Sequence, residues 1–119
     1  MRDKVKLRQI ARELELEVRA DGNGLETEVQ GGYSGDLISD VLANTRQGTL
    51  WITHQRHPNT VAAAVLRELA GIVLANGREP EEDTLRKARE ENVALLVSGL
   101  QAYELAGRLF GLGLPGVKK

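Results

Sequence analysis

The sequence predicts an α/β fold: a mainly parallel sheet of about five strands with helices on both faces. Three observations predict it. After Gly32, short apolar runs alternate with segments of helical period, giving three consecutive strand–helix–strand units. Two of those runs, GIVLA at 71–75 and VALLV at 93–97, are apolar throughout instead of alternating, as strands covered on both faces are. Glycines, prolines and acidic clusters fall between the runs, where chain reversals and helix starts are needed.

Taken in order, Leu7, Ile10, Ala11 and Leu14 stand at i, i+3, i+4 and i+7, one apolar stripe on an otherwise charged first helix. A short strand over 17–20 follows and is expected at a sheet edge. DGNG at 21–24 is a turn. A second strand is expected over 26–33, ending in Gly31-Gly32. The next helix covers 36–46, with Leu37, Ile38, Val41 and Leu42 inward and Gly48 marking its end. The spacing then predicts a strand over 49–53, with Leu50 and Ile52 on one face and Trp51 on the other. The helix over 60–69 follows, with Val61, Val65 and Leu69 or their neighbours inward. Strands over 71–75 and 93–97 flank a helix over 81–91, and the last helix covers 100–110. Pro80 ahead of Glu81, Glu82 and Asp83 puts proline and negative charge at the positive end of a helix dipole. Ser98 and Gln101 have the spacing of a capping box. Residues 1–114 read as one domain, and 115–119 as a flexible tail.

Composition narrows the function. At 119 residues the chain has room for one core, and with 3% aromatic residues that core is built from Leu, Val, Ile and Ala. The net charge of −1 gives no electrostatic reason to seek nucleic acid or an anionic membrane. The absence of cysteine removes disulfides, thiolate metal sites and thiol nucleophiles. With no long apolar run and no signal-like segment, a cytoplasmic location is expected.

Ligands of open parallel sheets bind beyond the carboxyl ends of the strands, where helix N-terminal amides suit anions. Four segments fall there. They contribute Gly31, Gly32, Tyr33 and Ser34; His54, Gln55, His57 and Asn59; Asn76 and Gly77; and Ser98. HQRHPN at 54–59 is the richest in side-chain function, with His57 or Asn59 expected as a cap, Pro58 in the first turn, and any bound anion facing Gly31-Gly32. Ser34 is expected to cap the helix after it. His54 and His57 have a metal-like spacing, but a zinc site needs further ligands and the chain has no other histidine or cysteine, so no metal is expected. Phosphate-loop, dinucleotide and nucleophile-elbow motifs are missing, and no catalytic residue or cofactor is expected. Tyr103 and Phe110, seven residues apart on the last helix, suggest packing or a subunit contact.

The blocks KLRQIARELELEV, EVQGGYSGDLISDVLAN, TLWITHQRHPNTVAAAV, AGIVLANGREPEEDTLRKARE and VALLVSGLQAYELAGRL together resemble the DRTGG domain family, from Lys6 to about Leu114. The resemblance implies a fold similar to the N-terminal domain of bacterial HPr kinase/phosphorylase, in a family also found beside CBS pairs. It implies a bacterial, non-catalytic regulatory domain, a homodimer, that senses a small anionic metabolite or nucleotide. The alternative is a protein-interaction subunit without a small ligand, linked to redox or hydrogenase systems.

Overall fold

The computed structural model describes residues 5–117. It is a three-layer α/β/α sandwich around one five-stranded sheet. The chain runs β1 (Val5–Lys6), α1 (Leu7–Glu13), β2 (Glu17–Asp21), β3 (Glu28–Val29), β4 (Gly31–Ser34), α2 (Ile38–Asn44), β5 (Thr49–Thr53), α3 (Asn59–Arg67), β6 (Gly71–Leu74), α4 (Glu82–Glu90), β7 (Ala94–Val97) and α5 (Ala102–Gly111). The sheet order is β2-β7-β6-β5-β4. Strands β4 to β7 are parallel, and β2 closes one edge antiparallel to β7, the edge position its sequence suggested.

Alternation along each strand sorts the core into two halves. Leu50, Ile52, Val73 and Leu96 face one way, packing with Leu7 and Ile10 of α1 and Leu105 and Leu109 of α5. Trp51, Ile72, Leu74, Leu95 and Val97 face the other way, against Val41 of α2, Val61 and Ala64 of α3 and Ala88 of α4. The three helices that link successive parallel strands therefore share one face, as crossovers of one hand require when strand order is sequential. The central strands are buried along their whole length, which is why they read as continuous apolar runs.

Several expectations are corrected. The strand expected over 26–33 is two pieces: β3 pairs with β1 in a separate two-stranded ribbon, and β4 pairs with β5. The break is Gln30, whose amide donates to the Gly48 carbonyl at 2.8 Å. Gly31-Gly32 consequently starts a strand instead of ending one. A Cβ on Gly31 would stand 2.8 Å from the Pro115 carbonyl oxygen, so glycine lets the chain's end approach β4 closely. That end is docked as far as Gly116, where a tail was expected from 115. Leu114 is buried, the Gly32 amide donates to Pro115 O at 2.9 Å, and Gly116 bridges to Gly32. Lys118 and Lys119 lie outside the described residues.

Helix α2 is shorter than expected, and Leu37, at its N-cap, is 67% exposed, not inward. On α3 the inward residues are Thr60, Val61, Ala63 and Ala64, while Val65 is 43% exposed. The helical phase sets the inward face between Thr60 and Ala64 and turns Val65 outward; Glu68, left-handed (φ 51°), ends the helix, and Leu69 beyond it still packs against the core. The capping box at Ser98 does not form. α5 starts after Gln101, and Ser98 Oγ instead accepts the Leu100 amide at 3.1 Å. The acidic start of α4, with Glu82 and Asp83 in the first turn, is as the sequence indicated.

Candidate functional site

The carboxyl ends of β4 to β7 open into four loops on one side of the sheet. The stretch 54–58 is one of them, leaving β5 and entering α3 as expected. Its conformation is set by a residue sequence reasoning did not single out. Asp36, just after β4, accepts from Thr53 Oγ1 at 2.8 Å and the His54 amide at 2.7 Å, and sits 3.1 Å from His54 Nδ1. Gln55 Nε2 donates to the Asp36 carbonyl at 3.0 Å. Two neighbouring loops are thereby joined through one carboxylate, and His54 and Gln55 are occupied in the joining. The available signal was an aspartate right after a strand end, where a short side chain can accept from nearby backbone amides.

Burial pushes the Asp36 carboxyl up, but the His54 amide, the Thr53 hydroxyl and the His54 ring outweigh it and leave it below the usual aspartate range. A depressed folded pKa contributes stability above the unfolded value, and that contribution is lost as pH falls through the folded pKa. Asp36→Ala is expected to cost about 1 kcal/mol near neutral pH, limited by solvent screening. Urea denaturation should show the gap between variant and wild type narrowing below about pH 4. A gap that is the same at both pH values would contradict the ionised role.

His57 does the capping at α3: its Nδ1 accepts the Asn59 amide at 3.0 Å, and its carbonyl accepts both the Thr60 amide and the Thr60 hydroxyl. Pro58 holds the N-cap position, and Asn59 is the first helical residue with an exposed side chain that makes no cap. Of the two expected caps, His57 and Asn59, it is His57 that takes the role. Ser34 makes no cap either; it is exposed at the end of β4, three residues before the α2 N-cap. The strand register also corrects the expected partner of this loop. Gly31 pairs with Thr49 and Gly32 with Leu50, at the entry half of β5, while residues 54–59 lie beyond Thr53 at its exit. Gly31-Gly32 does not face the loop. Gly32, Tyr33 and Ser34 instead border a cleft of about 140 Å³ with Ala106, Phe110 and Pro115.

The other two loops are drawn together. Asn76 and Gly77 both take left-handed backbone (φ 62° and 68°), a conformation asparagine and glycine tolerate. Their amides donate to Leu100 O at 2.7 Å and Ser98 O at 2.8 Å. The β6–α4 loop is held from outside as well. Arg19 forms a two-point pair with Glu79, at 2.7 and 2.8 Å, from an irregularity in β2 between Val18 and Ala20. Arg56 Nε donates to the Glu79 carbonyl. The hydrogen bonds from Arg19 hold the Glu79 carboxyl below its usual range.

Here the topology opens. The connection after β6 goes to α4 on one face, and that after β7 goes to α5 on the other. Divergence of adjacent connections to opposite faces is what creates a binding crevice at strand ends. Asn76, Gly77 and Ser98 line this junction. No side chain caps the first amides of α5. Arg78, next on the loop, is exposed; its amide donates to the Ala75 carbonyl at 3.3 Å, and its side chain has no hydrogen bond or ion pair among the described residues. Arg78 too was missed; its signal is a cation directly after a left-handed turn at a strand end. Among the described residues no group of three or more His, Cys, Asp or Glu could hold a metal, and no helix is long and apolar enough to cross a membrane.

A three-layer sandwich with a sequentially ordered parallel sheet and interlocked strand-end loops defines a small α/β domain of a recognisable class. A profile of the DRTGG domain matches residues 9–112, and the chain belongs to that family. Among solved structures it is similar to the CBS and DRTGG domains of the regulatory region of Clostridium perfringens pyrophosphatase, crystallised with its activator, diadenosine tetraphosphate. The identity is 15% and the TM-score 0.72, over 92% of this chain and 47% of that one. The chain thus spans about half the length of that structure, and the likeness is one of fold. No curated protein sequence matches.

Proposed function

We propose that this domain is a non-catalytic regulatory module that binds a small anionic metabolite or nucleotide at the carboxyl ends of its strands, at the β6/β7 junction. The observation that carries the reading is the combination found there: diverging connections, α5 amides without a side-chain cap, and the exposed guanidinium of Arg78, which has no partner among the described residues. The loops are pre-organised by the hydrogen bonds from the Asn76 and Gly77 amides and by the Arg19–Glu79 pair, which lowers the ordering cost of binding. The pyrophosphatase regulatory region with this fold is complexed with an anionic dinucleotide activator, which supports the ligand class. By contrast, Asp36 places negative charge beside His54, so the 54–59 loop is less suited to an anion than its histidines suggested.

The test is a thermal-shift screen over nucleotides, diadenosine tetraphosphate, acetyl phosphate, coenzyme A and phosphorylated metabolites. A ligand at about 100 times its dissociation constant adds about 2.7 kcal/mol, a rise on the order of 10 °C for a domain this size. Arg78→Ala should leave the unliganded melting temperature within about 2 °C, since an exposed unpaired side chain contributes little, and should remove most of the ligand-induced rise. No shift with any of these compounds would contradict the sensing role.

A further inference from the structure

A second cleft lies between the edge strand β2 and α4, towards the amino end of β7, where Asp21 pairs with Ala94. Its volume of about 400 Å³ is near the lower end for ligand pockets, roughly 300–1,000 Å³. Ala20 and Ala88, both buried, give it an apolar floor. Two turns close one end. Gly22 (φ 59°) and Asn92 (φ 56°) are both left-handed, and a Cβ on Gly22 would stand 3.0 Å from the Ala94 amide nitrogen and 3.2 Å from the Asn92 carbonyl oxygen. Glycine at 22 therefore lets the two turns touch.

The charges that line this cleft are not matched to one another. Arg19 is already held by Glu79 in its two-point pair. Arg89 has one long hydrogen bond, 3.4 Å from its Nη2 to the Arg19 carbonyl, and no carboxylate partner among the described residues. The Asp21 carboxylate has no partner among them either, since the Gly24 and Leu25 amides donate to its backbone carbonyl. The side-chain amide of Asn92 is likewise unpartnered among the described residues. A place in the last turn of α4 explains why a cation is favoured at 89, but not why it borders a carboxylate with which it does not pair.

We propose that this cleft binds a free α-amino acid with a small apolar side chain. Arg89 on the α4 wall and Asp21 on the β2 wall offer opposite charges across one small space, and an amino acid has both complementary charges on a single carbon. Its carboxylate meets the planar donors of the Arg89 guanidinium, which suit two-point recognition, and its ammonium meets the Asp21 carboxylate. The Asn92 amide, at the closed end, can donate to the first group or accept from the second. The side chain lies on Ala20 and Ala88. A simple anion would meet the like charge of Asp21, and a simple cation that of Arg89. A charged side chain would be set against the apolar floor without a partner. None of these residues belongs to the β6/β7 junction, so binding here stands whether or not an anion is read there.

Amide NMR titration of the full chain with alanine, serine and valine tests it, beside propionate and ethylamine, which are alanine without its ammonium and without its carboxylate. The amino acids are expected to give saturable shifts at residues 18–22 and 88–92, and neither half-molecule should do so at the same concentration. Aspartate and lysine should bind more weakly than alanine. Asp21→Asn and Arg89→Gln should each weaken binding by about tenfold or more, since each removes a charge-assisted contact. Both variants should melt within about 2 °C of wild type, because neither side chain holds a partner on which stability depends. Equal shifts with propionate would make the cleft an anion site and overturn the proposal. Absence of shifts at 18–22 and 88–92 with all three amino acids would overturn it, as would binding that survives unchanged in both variants.

Discussion

Replacing Trp51 by alanine is expected to cost about 3–5 kcal/mol, enough to leave a domain of ordinary stability marginal. The indole is fully buried at the centre of the sheet, on the face covered by α2, α3 and α4. Its Nε1 donates to the Gly35 carbonyl at 2.8 Å, so the same side chain that fills the core also ties down the loop leaving β4. Truncation removes the largest apolar volume on that face and leaves Gly35 without its donor. Trp51 is the only tryptophan, so unfolding of the variant has to be followed by circular dichroism. A loss below about 1.5 kcal/mol would mean that the indole is not enclosed as described. Trp51→Phe, which keeps a ring in place, should lose less than the alanine variant.

On the opposite face, Leu105→Ala is expected to cost about 2–5 kcal/mol. Leu105 is fully buried and is the anchor, with Leu109, by which α5 grips the sheet. Helix α5 also presents its uncapped N-terminus to the β6/β7 junction. Loosening it should therefore weaken a ligand-induced thermal shift more than the lost stability alone explains. Because Trp51 and Leu105 belong to core halves on opposite faces, their urea-denaturation losses should be measured singly. A small effect at either site would contradict the three-layer packing.

The layers were legible in the sequence because burial on both faces leaves a direct mark. Strands such as 49–53 and 71–75 have apolar side chains on both sides, and the observed β5 and β6 fall on them with at most one residue's difference. The edge position of β2 was legible too, since only Ala20 of that strand is buried. What was illegible depends on partners distant in sequence. The break at Gln30 is made by Gly48, and the docking of Pro115 and Gly116 by the glycines of β4. No local propensity encodes either one.

The candidate site was legible in outline for the same reason: strand ends follow from strands. Asn76, Gly77 and Ser98 do come together there, through hydrogen bonds from the Asn76 and Gly77 amides to the Leu100 and Ser98 carbonyls. The two histidines have structural roles that the sequence revealed only in part. His54 lies against the Asp36 carboxylate and His57 caps its own helix, so both serve the local turn. Arg78 was overlooked because an exposed arginine in a charged loop looks like solvated surface until its lack of a partner is seen.

The central claim, that an anionic ligand is read at the β6/β7 junction, is tested most directly by an amide NMR titration with diadenosine tetraphosphate and, separately, ATP. Saturable shifts are expected to concentrate at residues 76–78 and 98–104 and to be lost in Arg78→Ala. Shifts centred on 54–59, or none at all with either nucleotide, would contradict it.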